Sequence, residues 1–236
     1  MPKGTLFLVP VPLADNAAHK TYTQYLKETI NQLSEYIVEN EKTARKFLKE
    51  ARLTIPQSQL LIHGYGKHQR GGSLGEFFVG LESGKNVGLM SEAGCPGIAD
   101  PGADIVAEAH KRSIKVVPLV GPSSILLALM ASGFNGQSFT FHGYLPIDKV
   151  QRAKRIKELE TNSARFNQTQ LFIETPFRNN SILEEVLRTC APKTRLCIAS
   201  NLTAEDEFIK TQTITDWKKN IPDLHKKPTI FLLACS

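Results

Sequence analysis

The chain has 236 residues, 41% of them apolar and 22% charged, which is the balance of a water-soluble globular protein with room for one large domain or two smaller ones. No apolar run approaches the ~20 residues of a membrane-spanning helix, and Leu6-Phe7-Leu8-Val9 is too short for a signal peptide and stops at Pro10, so a cytoplasmic protein is expected. A net charge of +6 is a mild bias that suits RNA or another polyanionic partner.

In chain order, Thr5 to Val11 reads as a first strand, closed by Pro10 and Pro12. Leu26, Ile30, Leu33 and Ile37 recur at helical spacing and predict one helix face. Leu60-Leu61-Ile62 reads as a short strand, and Leu74, Phe77, Phe78 and Leu81 as another helix face. Val87 to Met90 and Lys115 to Leu119 are short apolar runs of the kind found in buried parallel strands. Between them, Ala103 to Ala109 reads as a helix. Ile125 to Ala131 predicts a helix capped by Ser123 or Ser124 and stopped at Gly133. Leu171–Ile173, Leu196–Ile198 and Ile230–Leu233 read as strands, with a helix carrying Ile182, Leu183, Val186 and Leu187 between the first two. Phe208 to Trp217 alternates weakly and suggests an antiparallel element. Strands alternating with helices predict two α/β domains, residues 1–119 with a mostly parallel sheet and residues 120–236 with a mixed one.

The most informative stretch is Ser91-Glu92-Ala93-Gly94-Cys95-Pro96-Gly97-Ile98-Ala99-Asp100-Pro101-Gly102. Its glycines and prolines follow a predicted strand and precede a predicted helix. That is where open parallel sheets hold ligands, although a stiff crossover turn has the same punctuation. It is not a phosphate-binding G-x-x-x-x-G-K-S/T loop, and no G-x-G-x-x-G opens a helix. Glu39, Glu92, Asp100 and Glu174 are the acids placed near the inferred crevice, either as bases and ligand contacts or as helix caps. Cys95, Cys190, Cys197 and Cys235 form no CxxC pair, and no metal-ligand spacing occurs, including around His63 and His68. Cys95 reads as a small apolar filler or a reactive thiol. Two basic runs stand out, one with Lys42, Arg45, Lys46, Lys49 and Arg52, the other with Lys149, Arg152, Lys154, Arg155 and Lys157. Each reads either as a nucleic-acid contact or as a solvated helix face.

The Ser91–Gly102 stretch resembles the S-D-A-G-T-P-x-I-S-D-P-G hallmark of the tetrapyrrole-methylase-fold S-adenosylmethionine-dependent methyltransferases. Within them it is most similar to the small-subunit ribosomal RNA (cytidine-2′-O)-methyltransferases. The likeness continues through Val116–Ser124, through Phe141-His142-Gly143-Tyr144-Leu145-Pro146 and through Phe172-Ile173-Glu174-Thr175-Pro176-Phe177-Arg178. Leu8–Leu13 is similar to the family's first strand and loop, so the likeness spans nearly the whole chain in order. The chain departs from the family's E-D-T-R at Glu39-Asn40-Glu41-Lys42 and from its R-E-L-T-K at Ser200-Asn201-Leu202-Thr203-Ala204.

The resemblance implies two α/β domains with the cofactor cleft between them, S-adenosylmethionine as methyl donor and no metal. Carried over by position, donor contacts fall on Leu13, Ala93, Gly94, Cys95, Ile98, Ser123, Ser124, Glu174, Leu202 and Thr229. Glu39, Lys42, Asp100 and Arg178 are the groups that could assist a ribose hydroxyl acceptor. Ribosomal RNA is the expected partner. Methylation of a small molecule such as a tetrapyrrole, and non-catalytic donor binding, stand beside that reading. A homodimer is expected from the resemblance and from the apolar Phe77-Phe78-Val79.

Overall fold

The computed structural model describes residues 2–65 and 74–235, and His68 lies outside them. The chain divides into two compact units, Met1–Ser123 and Ser124–Ser236. Both are α/β, and among the described residues no helix is long and apolar enough to cross a membrane.

The first unit is built on a wholly parallel sheet. Its strands are β1 (Thr5–Leu8), β2 (Glu35–Val38), β3 (Leu61–Gly64), β4 (Val87–Met90) and β5 (Lys115–Pro118), in the order β3-β2-β4-β1-β5. Helices α1 (Gln24–Ile30) and α2 (Glu41–Glu50) pack on one face through Leu26, Ile30, Ala44, Phe47 and Leu48. A 3-10 turn at Gly75–Phe78 leads into α3 (Val79–Glu82). It packs with α4 (Gly102–Lys111) on the other face through Phe77, Phe78, Leu81, Ile105 and Ala109. The central strands β2 and β4 are buried along their whole length, whereas β5, at the edge, is half-buried to exposed.

Three expectations are corrected here. Strand β1 ends at Leu8, two residues before Pro10, and Val11 instead forms an isolated bridge. The helix carrying Leu26 and Ile30 stops at Ile30, so Ile37 lies in β2, paired with His63 and Leu89. Helical spacing alone could not separate a helix from the buried strand that follows it. Phe77 and Phe78 are 3% and 0% exposed within their own unit, so of the Phe77-Phe78-Val79 trio only Val79 reaches solvent. That segment therefore offers no broad apolar face for a dimer. The expected antiparallel element at Phe208 to Trp217 is present as strand Phe208–Thr213, paired antiparallel with Arg195–Ser200 and followed by one helical turn.

The second unit holds β6 (Phe139–Tyr144), β7 (Thr169–Ile173), β8 (Arg195–Ser200), β9 (Phe208–Thr213) and β10 (Thr229–Ala234), in the order β6-β7-β10-β8-β9. Only the β6–β7 pair is parallel. Helix α5 (Ser124–Ser132) lies against β8, β9 and β10. Helices α6 (Lys149–Phe166), α7 (Asn179–Thr189) and α8 (Ile214–Trp217) build the core with Phe172, Ile198 and Phe231. The Trp217 indole is buried and donates to Leu196 O at 2.9 Å.

Candidate functional site

All five strands of the first unit run parallel, so the loops after β1, β2, β4 and β5 leave from one edge. Adjacent β1 and β4 send their chains in opposite directions, β1 toward β2 and the α1/α2 face, β4 toward β5 and the α4 face. Divergence of this kind opens a crevice beyond the strand ends, the usual ligand position in open α/β sheets.

The mouth of that crevice is tied by backbone. Val11 N donates to Gly94 O and Gly94 N to Val11 O, each at 2.9 Å. Gly94 has φ +74, and a Cβ there would stand 3.3 Å from Leu13 Cδ2 and 3.5 Å from Pro122 O. The loops after β1, β4 and β5 therefore meet at a residue that tolerates no side chain without strain. Cys95 is half-buried, and its Sγ donates to Pro122 O at 3.2 Å. Burial pushes its thiol pKa up, so the thiol stays protonated near neutral pH. Ala93 is exposed and Ile98 is 54% exposed, so both side chains are accessible in the loop. Leu13 and Ser123 are half-buried.

Asp100 points into its own loop. Both carboxylate oxygens accept from Gly97 N at 2.9 Å, and Oδ1 also accepts from Gly102 N at 2.6 Å. A Cβ on Gly102 would meet Asp100 Oδ1 at 2.8 Å, so this first residue of α4 must be glycine for the carboxylate to close the turn. Glu39 follows β2 and accepts from Glu92 N at 3.4 Å. Glu39 and Asp100 also line a cavity of about 10 Å³, which has room for a single water. Lys42, in the first turn of α2, is exposed. Asn40 caps that helix by accepting from Thr43 N at 3.2 Å, as Asn and Asp both do well.

In the second unit, the C-terminal ends of β7 and β8 and the N-terminal end of β10 share one sheet edge. Glu174, Ser200, Leu202 and Thr229 gather there. The Glu174 side chain is fully buried. Its Oε1 accepts from Thr175 N at 2.6 Å and from Arg178 Nε and Nη2 at 3.0 and 2.5 Å, while its Oε2 is buried with no partner. Thr229 Oγ1 donates to Lys227 O at 2.9 Å and lies 3.1 Å from Ser200 Oγ. Asn179, fully buried, donates to Lys227 O at 2.6 Å, and its Oδ1 has no partner. Leu202 is buried in a loop where Asn201 and Thr203 take positive φ. Ser124 opens α5.

The structure thus brings Leu13, Glu39, Lys42, Ala93–Asp100 and Ser123 to one edge of the first unit, and Glu174, Arg178, Leu202 and Thr229 to one edge of the second. Sequence reasoning passed over Val11, Gly102 and Asn179. The signals were available: Val11 sits between two prolines, Gly102 follows Asp-Pro at a helix start, and Asn179 follows the E-T-P-F-R run. Among the described residues, no group of three or more His, Cys, Asp or Glu side chains could hold a metal ion.

The family model for tetrapyrrole (corrin/porphyrin) methylases matches residues 14–217. A relative from Vibrio cholerae, named ribosomal RNA small subunit methyltransferase I, is 29% identical over 92% of this chain and 72% of its own length. A relative of the same name from Bacillus subtilis is 30% identical over 88% of this chain and 67% of its own. Among solved structures, the methyltransferase CobJ superposes with a TM-score of 0.63 at 17% identity, covering 100% of this chain and 95% of that one. The last likeness concerns the fold alone.

Proposed function

The chain belongs to the tetrapyrrole (corrin/porphyrin) methylases, and from that premise we propose that it transfers a methyl group from S-adenosylmethionine to a ribose 2′-hydroxyl of small-subunit ribosomal RNA. The observation that carries donor binding is the Val11–Gly94 bridge, with Gly94 held at positive φ against Leu13 and Pro122. This backbone cradle lacks a side chain at the point of closest approach. The buried, unpartnered Oε2 of Glu174 also calls for a hydrogen-bond donor, which the hydroxyl and amino groups of the ligand could provide. RNA as acceptor is supported by the names and length coverage of the relatives.

When bound, the donor supplies an electrophilic methyl on a sulfonium, which moves by direct displacement. The chain's own work is then to bind, align and exclude water. We assign Leu13, Ala93, Gly94, Cys95, Ile98, Ser123, Ser124, Glu174, Leu202 and Thr229 to the donor. Asp100 is assigned to holding the loop, since its oxygens are taken by Gly97 and Gly102. Arg178 is assigned to compensating Glu174. That leaves Glu39 and Lys42, at the same edge as the Gly94 loop, for the acceptor hydroxyl and its departing proton. The expected homodimer now rests on the family resemblance alone.

A small-molecule acceptor is the second reading, and one observation favours it: half of the ten cations in the basic runs are paired or buried within the fold. Arg45 pairs with Glu41, Lys46 with Asp15, Arg155 with Glu158 and Lys157 with Glu160, and Arg152 is buried. The deciding experiment incubates the protein with methyl-labelled donor and small-subunit RNA lacking its native methylation. Label recovered on a ribose 2′-oxygen supports the RNA reading. Donor binding by calorimetry without any label in RNA moves the assignment to a small acceptor.

A further inference from the structure

We propose that the second unit carries a separate binding site for a small phosphate-bearing molecule, at the sheet end opposite Glu174 and Thr229. The site is a cavity of about 620 Å³, within the size range of small-ligand pockets. One wall is the C-terminal part of α6, with Glu160, Ala164 and Arg165. The other is the turn between α7 and β8, with Ala191, Lys193 and Thr194, and Cys235 closes it after β10.

The charge of this cavity decides its ligand. Glu160 is the carboxylate lining it, and its hydrogen-bonding capacity is already engaged. Its Oε1 accepts from Ala191 N at 2.6 Å and Thr194 Oγ1 at 2.5 Å, and its Oε2 is paired with Lys157 Nζ at 2.5 Å. Burial would ordinarily raise a carboxyl pKa, but these donors hold Glu160 below its usual value, so it stays ionised and offset by Lys157. Arg165 and Lys193 remain. Both are exposed, they belong to different elements lining the same cavity, and among the described residues neither has a carboxylate partner. Arg165 lies 5.1 Å from the Phe166 ring, which leaves its guanidinium free to meet an anion. Two unopposed cations on a concave surface match the double charge of a phosphate group, with the arginine fork supplying paired hydrogen bonds. The small side chains of Ala164 and Ala191 keep the cavity open, and the concavity favours a compact ligand over a polymer backbone. The site is independent of the donor reading, since it shares no residue with the Gly94 and Glu174 edges.

Pyrophosphate is the probe. Calorimetry at fixed ionic strength, without methyl donor, measures its affinity. Alkylation of the partly exposed Cys235, followed on its own peptide by mass spectrometry, reports occupancy at the cavity. Binding is expected together with slowed alkylation of Cys235. The exposed pair Arg165→Glu and Lys193→Glu should weaken pyrophosphate binding at least about ten-fold. The reversal of Lys149 and Lys154 to Glu, an equal charge change elsewhere on α6, should leave it unchanged. Absent binding, unprotected Cys235, or equal loss in both variants overturns the proposal. So does protection of Cys235 by an RNA oligomer where pyrophosphate gives none, because the cavity would then serve a polymer.

Discussion

At Gly94 the backbone carries three roles at once: it pairs with Val11, adopts positive φ, and leaves space between Leu13 and Pro122. Gly94→Ala should cost about 1–2 kcal/mol of stability from the left-handed backbone alone. It should also weaken donor binding about ten-fold, because the new methyl occupies the cradle. Chemical denaturation and calorimetry on the same variant separate the two effects, and unchanged affinity in a folded variant would remove this loop from the donor site. Asp100 is read differently in the fold than in the sequence. An acid at a strand's end looks like a base, but its amide partners make it a loop staple. Asp100→Asn keeps the shape and removes the charge, so it should cost about 1.5–3 kcal/mol, the range of hydrogen bonds to charged groups. Methyl transfer should then fall through weaker donor binding, with the pH dependence of kcat unmoved. A pH profile that loses its acid limb would restore Asp100 as a base. Nothing in the residue letters distinguishes a base from a staple, because the difference lies in where two amides point.

Helix α6 shows the same limit at the scale of an element. Its run of five cations was legible as a helix, and Asp148 caps it by accepting from Gln151 N at 2.9 Å. Which cations face water was not legible, because charge type overrides the burial pattern that apolar residues would reveal. Ile156, Leu159 and Ser163 fix the buried face, and Arg152 falls on it, one turn before Ile156. Arg152 is 4% exposed, donates to Ile147 O at 3.2 Å and lies 3.8 Å from buried Glu185. Arg155, on the next position round, donates to His142 Nδ1 at 3.1 Å. Arg152→Glu would set two carboxylates together inside the α6–α7 contact. The expected loss is about 3–5 kcal/mol, the cost of breaking a buried pair, read as a lowered denaturation midpoint. A variant as stable as the parent would mean that Arg152 swings out to solvent. The short strands were legible wherever apolar residues clustered, as at β4, β8 and β10. Strand β2 was masked by a helical rhythm running into it, and β6 alternates Phe139, Thr140, Phe141 and His142 for only four residues before Gly143 breaks the pattern.

For the molecule as a whole, the net charge of +6 pointed toward a polyanion, but charge counted along a sequence is not charge offered to a partner. In the fold, four of the ten cations in the two basic runs pair with carboxylates of the chain and Arg152 is buried. Lys42, Lys49, Arg52, Lys149 and Lys154 stay exposed and, among the described residues, without an ion pair. The family motifs were legible because glycine and aspartate are demanded by backbone geometry at Gly94, Asp100 and Gly102, and such demands survive in the letters. Substrate choice depends on which long side chains are left over after the fold has paired the rest. If RNA is the acceptor, those five cations set its salt dependence. Each phosphate contact contributes about 0.7–0.9 to the slope of log K against log salt. Lys42→Glu with Lys49→Glu, or Lys149→Glu with Lys154→Glu, should therefore flatten the slope by roughly 1.5 in whichever pair touches RNA. Donor affinity should be unchanged for Lys49, Lys149 and Lys154, which lie outside the donor contacts. The measurement is filter binding of a small-subunit RNA fragment across a salt series. Slopes identical to the parent in both pairs would mean that no phosphate meets these faces, and the acceptor would then be a small molecule.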